Sequence, residues 1–174
     1  MKKILIVVDM QNDFVDGALG TTEAQAIVDN VVEKINAFDG DIIATYDTHF
    51  ENYSDTQEGK KLPVPHCIKD TKGWELNSKI EEALSQHNCA RFEKITFGSV
   101  ELPIFISENY DVENIQIELV GLCTDICVVS NALLLKANFP EMEISVDASC
   151  CAGVTQEKHM AALEVMRSCQ INVK

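Results

Sequence analysis

The sequence has few basic residues and no long hydrophobic run, and each absence argues against a class of function. Only 14 lysines and arginines stand against 28 aspartates and glutamates in 174 residues, which leaves a formal charge of −14 at pH 7. Such a chain repels phosphate backbones and anionic lipid surfaces. No apolar stretch approaches the roughly 20 residues of a membrane-spanning helix, and the N-terminal run is too short for a signal peptide. We therefore expect a cytoplasmic protein without nucleic acid or membrane partners.

The sequence also lacks a disulfide pattern and a phosphate-binding loop. Its seven cysteines are odd in number and irregularly spaced, and several lie in apolar segments, which argues against a disulfide framework. No glycine-rich phosphate loop follows a predicted strand, so no motif supports nucleotide binding. The remaining composition, with 46% hydrophobic and 24% charged residues, is typical of a globular chain. The length suits one domain, residues 1–174.

Strand-like and helix-like segments alternate along the chain. Short segments, of which the first is rich in β-branched residues, predict strands at about 3–9, 41–47, 90–94, 114–121, 143–149 and 171–173. Apolar residues at helical spacing predict helices at about 22–38, 77–86, 125–138 and 155–167, and a short helix near Val100 is left open. This alternation predicts an α/β fold: a single three-layer αβα domain with a central, mostly parallel sheet of about six strands.

Three polar residues near strand ends are candidates for catalysis, because ligands of open α/β sheets bind beyond the carboxyl ends of the strands. Asp9 ends the first predicted strand, Lys94 ends the third, and Cys127 follows the turn after the fourth. A thiol in the first turn of a helix has a lowered pKa, and unpaired N–H groups there can hold an oxyanion. Each of the three residues also has a purely structural interpretation. Asp9 would be a carboxylate that caps a loop, Lys94 a surface lysine and Cys127 a small buried side chain.

A second group of polar residues follows the second predicted strand. Its members are Asp47 and His49 at the strand end, and Glu58 and His66 in the long polar loop beyond. Two histidines and two carboxylates suit zinc, iron or manganese. The spacing is irregular, so Glu51 and Asp55 compete with Glu58 for the carboxylate position, and loop histidines without a metal remain an alternative.

Five segments of the sequence together resemble a known family. They are IVVDMQNDF (6–14), YDTH (46–49), KLPVPHC (61–67), EKITFGS (93–99) and VGLCTDICV (120–128). In this order they resemble the cysteine hydrolases of the isochorismatase-like superfamily, and the nicotinamidases in particular. The matches extend over most of the chain, and the first and last segments form the most specific pair.

The resemblance implies a catalytic triad and an oxyanion hole. The triad comprises Asp9, Lys94 and Cys127, with Cys127 as the nucleophile. The oxyanion hole consists of the backbone N–H groups of Cys123 and Cys127, next to a cis peptide between Leu122 and Cys123.

The resemblance further implies a divalent metal, with zinc as the first choice and manganese or iron as alternatives. Asp47, His49 and His66 are the implied ligands, and the pyridine nitrogen of the substrate binds at the metal. Many nicotinamidases have another histidine ligand between the two histidines, and this loop has none there. Glu58 fits a variant of the site that contains a glutamate.

The implied reaction is hydrolysis of nicotinamide, or of a close small aromatic amide such as pyrazinamide, to the acid and ammonia through a cysteine thioester. Phe14 lies where the family has an aromatic wall against the substrate ring, whereas Pro63 replaces an aromatic residue found in many members. The resemblance also implies a homo-oligomer. One alternative is a superfamily hydrolase acting on a different small amide, ureide or vinyl ether. The other is a catalytically inactive α/β binding module.

Overall fold

Six strands form one sheet in the computed structural model, which describes residues 1–174. The strands are β1 (Lys2–Val8), β2 (Asp41–Asp47), β3 (Cys89–Lys94), β4 (Ile115–Leu122), β5 (Glu143–Ala152) and β6 (Asn172–Val173). Their order is β3-β2-β1-β4-β5-β6, and every neighbouring pair is parallel. The predicted α/β class and parallel sheet are confirmed.

Helices cover both faces of the sheet and give it three layers. They are α1 (Asn12–Val15), α2 (Thr22–Ala26), α3 (Val28–Ala37), α4 (Gln57–Lys61), α5 (Ser78–Leu84), α6 (Glu101–Asn109), α7 (Val129–Asn138) and α8 (Gln156–Ser168). Side chains of α3 and α5 pack in the core on one face, and side chains of α6, α7 and α8 pack in the core on the other.

The central strand β1 shows why the sequence forms this fold. Its residues from Ile4 to Val8 are all buried, as expected for an inner strand of a parallel sheet. Leu5 and Val7 contribute to one core, whereas Ile4, Ile6 and Val8 contribute to the other. The alternating direction of side chains along a strand therefore supplies both cores from one continuous apolar run.

Several predicted helix boundaries differ from the structure. The helix predicted at 22–38 is divided at Ile27 into α2 and α3, and its cap is Thr21, whose hydroxyl accepts a hydrogen bond from the Ala24 N–H. The short helix near Val100 is the nine-residue α6. The helix predicted from residue 125 begins as a π-helical turn, Thr124–Val128, before α7. The helix α8 is capped by Thr155, whose hydroxyl accepts a hydrogen bond from the Lys158 N–H.

Two predicted absences can be compared with the structure. All seven cysteines are free thiols, which agrees with the prediction that the protein has no disulfide framework. None of the helices combines the length and the apolar character needed to cross a membrane.

Candidate active site

The strand order brings the candidate residues to one edge of the sheet. β1 lies between β2 and β4, and β3 lies beside β2. Asp9 directly follows β1, Asp47 and Lys94 end β2 and β3, and the turn after β4 carries Cys127. Parallel strands expose their carboxyl ends at the same edge, so residues far apart in sequence meet there.

Lys94 lies at the centre of the buried catalytic candidates. Its Nζ is 2.6 Å from Oδ2 of Asp9 and 3.4 Å from Sγ of Cys127. The same Nζ is 3.6 Å from Oδ1 of Asp47. Asp9, Lys94 and Cys127 are exposed by only 0%, 4% and 4%, respectively. The structure thus brings the three residues of the predicted triad into contact and also connects them to the second group.

The electrostatics of this cluster favour a charged lysine beside a protonated thiol. Burial lowers the pKa of Lys94, but the charges of Asp9, Cys127 and Asp47 outweigh it and raise that pKa. Burial raises the pKa of Cys127 well above its usual value, and Asp9 raises it further, whereas Lys94 opposes the shift. The prediction that a position near a helix N-terminus lowers the pKa of Cys127 is therefore wrong. Burial also raises the pKa of Asp9, against the opposing charge of Lys94.

Thr45 is a supporting residue that the sequence analysis missed. Its hydroxyl donates a 2.6 Å hydrogen bond to Oδ1 of Asp9, and its side chain is fully buried on β2. This bond leaves Oδ2 of Asp9 directed to Lys94. A threonine within the apolar run DIIATYD was the available signal, but β-branched residues are common in strands and the signal is weak.

The turn after β4 has the cis peptide that the resemblance predicts. The Leu122–Cys123 peptide is cis. The Cys123 carbonyl accepts hydrogen bonds from the N–H groups of Ile126 and Val128. The Cys123 N–H itself donates to no group of the protein, so it is free to bind an oxyanion.

The second group of residues surrounds a small space beside Lys94. Oδ2 of Asp47 is 3.0 Å from Nε2 of His49 and 3.5 Å from Nε2 of His66. Oε1 of Glu58 is 3.7 Å from each of these nitrogens. The donor atoms of Asp47, His49 and His66 all lie within 4.8 Å of one another. Nitrogen and oxygen donors at these separations fit a divalent metal ion.

Glu58 is the only glutamate or aspartate of the long loop in this group. Glu51 and Asp55, the competing carboxylates, are exposed, and neither lies within 4.0 Å of His49 or His66. The short helix α4, capped by the Thr56 hydroxyl, carries Glu58 toward the histidines.

The pKa shifts agree with tight contacts inside the group. Burial raises the pKa of Asp47, but hydrogen bonds with His49 and His66 and the charge of Lys94 outweigh it and hold that pKa well below its usual range. Burial lowers the pKa of His66, but contacts with Asp47 and the Val64 carbonyl outweigh this effect and raise that pKa.

Backbone contacts hold the orientation of these residues. Nδ1 of His66 donates to the Val64 carbonyl at 2.8 Å, which directs Nε2 toward Asp47. The buried Gln11 amide donates to the Asp47 carbonyl at 2.8 Å and accepts from the Asp47 N–H at 2.7 Å. The sequence analysis did not assign a role to Gln11, although it lies in the IVVDMQNDF segment.

A cavity of about 710 Å³ opens onto both groups of residues. Its wall includes Phe14, the residue that the resemblance places against the substrate ring, and the Phe14 ring centroid is 5.5 Å from that of His66. Pro63 is not part of the wall. Further apolar wall residues, which the sequence analysis did not select, are Leu19, Leu62, Ile95, Phe97 and Ile126. Cys127 and the histidines therefore face one partly apolar chamber.

Several known proteins are similar to this chain in sequence and in structure. A nicotinamidase/pyrazinamidase of Mycobacterium tuberculosis is 27% identical, over 98% of this chain and 97% of its own length. The crystal structure of nicotinamidase/pyrazinamidase PncA from Bacillus subtilis superposes with a TM-score of 0.86 at 28% identity, covering 99% of both chains. That of pyrazinamidase from Pyrococcus horikoshii in complex with zinc has a TM-score of 0.79 at 26% identity, covering 100% of this chain and 99% of its own.

A sequence model of the isochorismatase domain matches residues 3–173, nearly the whole chain. The match includes the strand ends, the turn after β4 and the long loop that together form the cavity. The chain belongs to the isochorismatase family.

Proposed function

We propose that the protein is an amidohydrolase that converts nicotinamide, or a close small aromatic amide such as pyrazinamide, to the acid and ammonia. The observation that carries the proposal is the contact of Lys94 with Asp9, Cys127 and Asp47, of which Cys127 and Asp47 line one cavity. This contact joins a candidate nucleophile to a candidate metal group. Similar proteins named nicotinamidase or pyrazinamidase support the choice of substrate class.

Cys127 is the nucleophile in this proposal. Because its thiol is protonated in the free protein, its proton moves to Asp9 as Sγ attacks the carbonyl carbon of the amide. The N–H groups of Cys123 and Cys127 bind the developing oxyanion. Asp9 then returns the proton to the leaving nitrogen, ammonia departs, and a water molecule hydrolyses the thioester to the acid.

Lys94 acts by its charge. Its raised pKa keeps it protonated throughout, so it stabilises the thiolate and the Asp9 carboxylate without transferring a proton. Burial strengthens this interaction, because water is excluded from the space between the three side chains.

Asp47, His49, Glu58 and His66 would hold a divalent metal, with zinc preferred. When bound, the metal supplies a Lewis-acidic anchor for the ring nitrogen of a pyridine or pyrazine substrate. Phe14 restricts the tilt of the ring from the cavity wall, which favours an orientation with the carboxamide toward Cys127.

A screen of ammonia release from small amides, with and without a chelator, tests the proposed function. We expect nicotinamide and pyrazinamide to be hydrolysed faster than amides that lack a ring nitrogen, and chelation to reduce this preference. Release of ammonia from an open-chain ureide alone would instead indicate another branch of the superfamily. No hydrolysis of any amide, together with no rapidly alkylated thiol, would indicate a binding module.

Metal content provides a prediction that does not depend on activity. Purified protein should contain about one divalent metal per chain, measured by elemental mass spectrometry, and Glu58→Gln should weaken its retention during dialysis. The matched control is Glu51→Gln, which changes an exposed carboxylate of the same loop and should leave metal retention unchanged. Because a carboxylate is a harder ligand than imidazole, Glu58→His should increase the preference of the site for zinc over manganese or iron. Full metal content in the His49→Ala/His66→Ala double variant would contradict the assignment.

A further inference from the structure

Asn131 is a fully buried polar residue with no role in the chemistry proposed above. It lies on α7, one helical turn after Cys127, and its side chain is 0% exposed. Its Nδ2 donates to the Cys127 carbonyl at 2.8 Å and to the Phe97 carbonyl at 3.3 Å. Its Oδ1 accepts from the Ser99 N–H at 2.9 Å. One amide therefore joins the turn that carries the nucleophile to the segment between β3 and α6.

That segment, residues 95–99, is called here the wall loop. Ile95, Thr96 and Phe97 of the wall loop line the cavity, and Ile95 and Phe97 are 74% and 42% exposed. The only hydrogen bonds between the wall loop and the rest of the protein are those to Asn131. Because the side chains of Ile95 and Phe97 are exposed, burial contributes little to fixing their positions. The position of the wall loop therefore depends strongly on the side-chain amide of Asn131.

We propose that Asn131 is a positioning residue that sets the wall loop at a fixed place relative to Cys127. The proposal rests on the proposed function, because its consequence concerns binding of the aromatic amide. The Asn131 side chain holds both the wall loop beside the substrate ring and the turn that carries the attacking sulfur. A change at Asn131 that frees the loop but keeps the nucleophile turn should weaken substrate binding without slowing the chemical step.

Threonine at position 131 separates these two roles. A helical threonine can donate to the carbonyl four residues earlier, which here is that of Cys127. Its side chain is too short to reach the wall loop on the other element. Asn131→Thr should therefore raise KM for nicotinamide about three- to tenfold, the effect of losing one or two hydrogen bonds, and leave kcat within about twofold. Asn131→Leu, which loses every bond, should lower kcat as well.

Asn138 provides a matched control on the same helix. It is exposed, and its Nδ2 donates only to the carbonyl four residues earlier, that of Leu134, at 2.9 Å. Asn138→Thr thus makes the same chemical change without releasing another element. It should leave both KM and kcat unchanged.

Amide hydrogen exchange, measured by NMR, tests the anchor without any substrate. In the unmodified protein the Ser99 amide should exchange more slowly than the Thr96 amide, which has no acceptor in the protein. In Asn131→Thr the Ser99 amide should lose this protection, whereas amides of α7 should keep theirs. Equal exchange at Ser99 and Thr96 in the unmodified protein would overturn the proposal even if the variant failed to fold.

The two measurements distinguish failure of this inference from failure of the proposed function. An unchanged KM in Asn131→Thr, or a loss of kcat alone, would overturn the positioning role in an active amidase. If the unmodified protein hydrolysed no amide but showed the expected exchange, the proposed function would fail while the anchor itself stood. Unaltered protection of Ser99 in Asn131→Thr would overturn the anchor in either case.

Discussion

Cys127→Ala should abolish amide hydrolysis, while Cys123→Ala should retain much of it. The first change removes the sulfur that forms the thioester, and loss of a catalytic nucleophile commonly costs about 10⁴-fold or more in kcat. The second change removes only a side chain, because the oxyanion donor at position 123 is a backbone N–H that alanine also has. Initial rates of ammonia release from nicotinamide provide the measurement.

The pair of cysteine variants is informative because both thiols line the same cavity. Burial raises the pKa of both thiols, to about 12 for Cys123. Only Cys127 has its sulfur 3.4 Å from the Lys94 ammonium, so only its thiolate is stabilised by a direct contact. Equal loss of activity in the two variants would count against this assignment. Loss of activity in Cys123→Ala alone would show that the nucleophile is not Cys127.

Lys94→Met should lower kcat by about 10²- to 10³-fold and also destabilise the fold. The reason for the first effect is the loss of a buried charge that stabilises the thiolate. The second arises because Asp9 and Asp47 would remain buried near each other without a cation, and leaving a buried charge unpaired costs about 3–5 kcal/mol. Urea unfolding of the metal-depleted protein measures the stability effect, and ammonia release measures kcat.

Asp9→Asn should separate activity from stability. It removes the proton acceptor, so kcat should fall about 10²- to 10⁴-fold, but it leaves Lys94 beside the Asp47 carboxylate. The unfolding free energy should therefore change less than in Lys94→Met. Alkylation of Cys127 by iodoacetamide should slow in Lys94→Met, because the charge that opposes the raised thiol pKa is lost. An unchanged alkylation rate in that variant would exclude Lys94 from the triad, and an unchanged kcat in Asp9→Asn would exclude Asp9.

A surface ion pair is the control for these charge changes. Lys79 lies 2.7 Å from Asp29, but the two side chains are 62% and 74% exposed. Lys79→Met should change stability by less than about 1 kcal/mol and leave kcat unaffected, because water screens such pairs. A loss of activity in this variant comparable to that of Lys94→Met would show that general charge effects, not the buried contact, explain the result.

The strand ends were the most predictable part of the site. Asp9 follows the β-branched run of β1 and Lys94 ends the short strand β3, and right-handed parallel crossovers bring such ends to one edge. The sequence pattern therefore predicted that these residues meet, whereas their roles came from the resemblance. Helix boundaries were less predictable, since the break at Ile27 and the π turn before α7 depend on contacts with the rest of the chain.

By itself, the sequence determined the α/β class, the parallel sheet and the edge at which Asp9, Lys94 and Cys127 meet, because hydrophobic periodicity is a local property. Only the tertiary structure decided which loop carboxylate lies beside His49 and His66, because the path of the long loop depends on distant partners such as Gln11, whose side-chain amide donates a hydrogen bond to the Trp74 carbonyl of the loop.

The pKa of Cys127 shows the same division. The position of a thiol near a helix N-terminus can be predicted from sequence, and it favours the thiolate. Burial and the Asp9 carboxylate come from packing between strands far apart in the chain, and they raise the pKa instead. The anchoring of the wall loop by Asn131 likewise joins residues more than 30 positions apart. Local patterns carry no information on such desolvation and long-range bonding, which depend on how the elements pack.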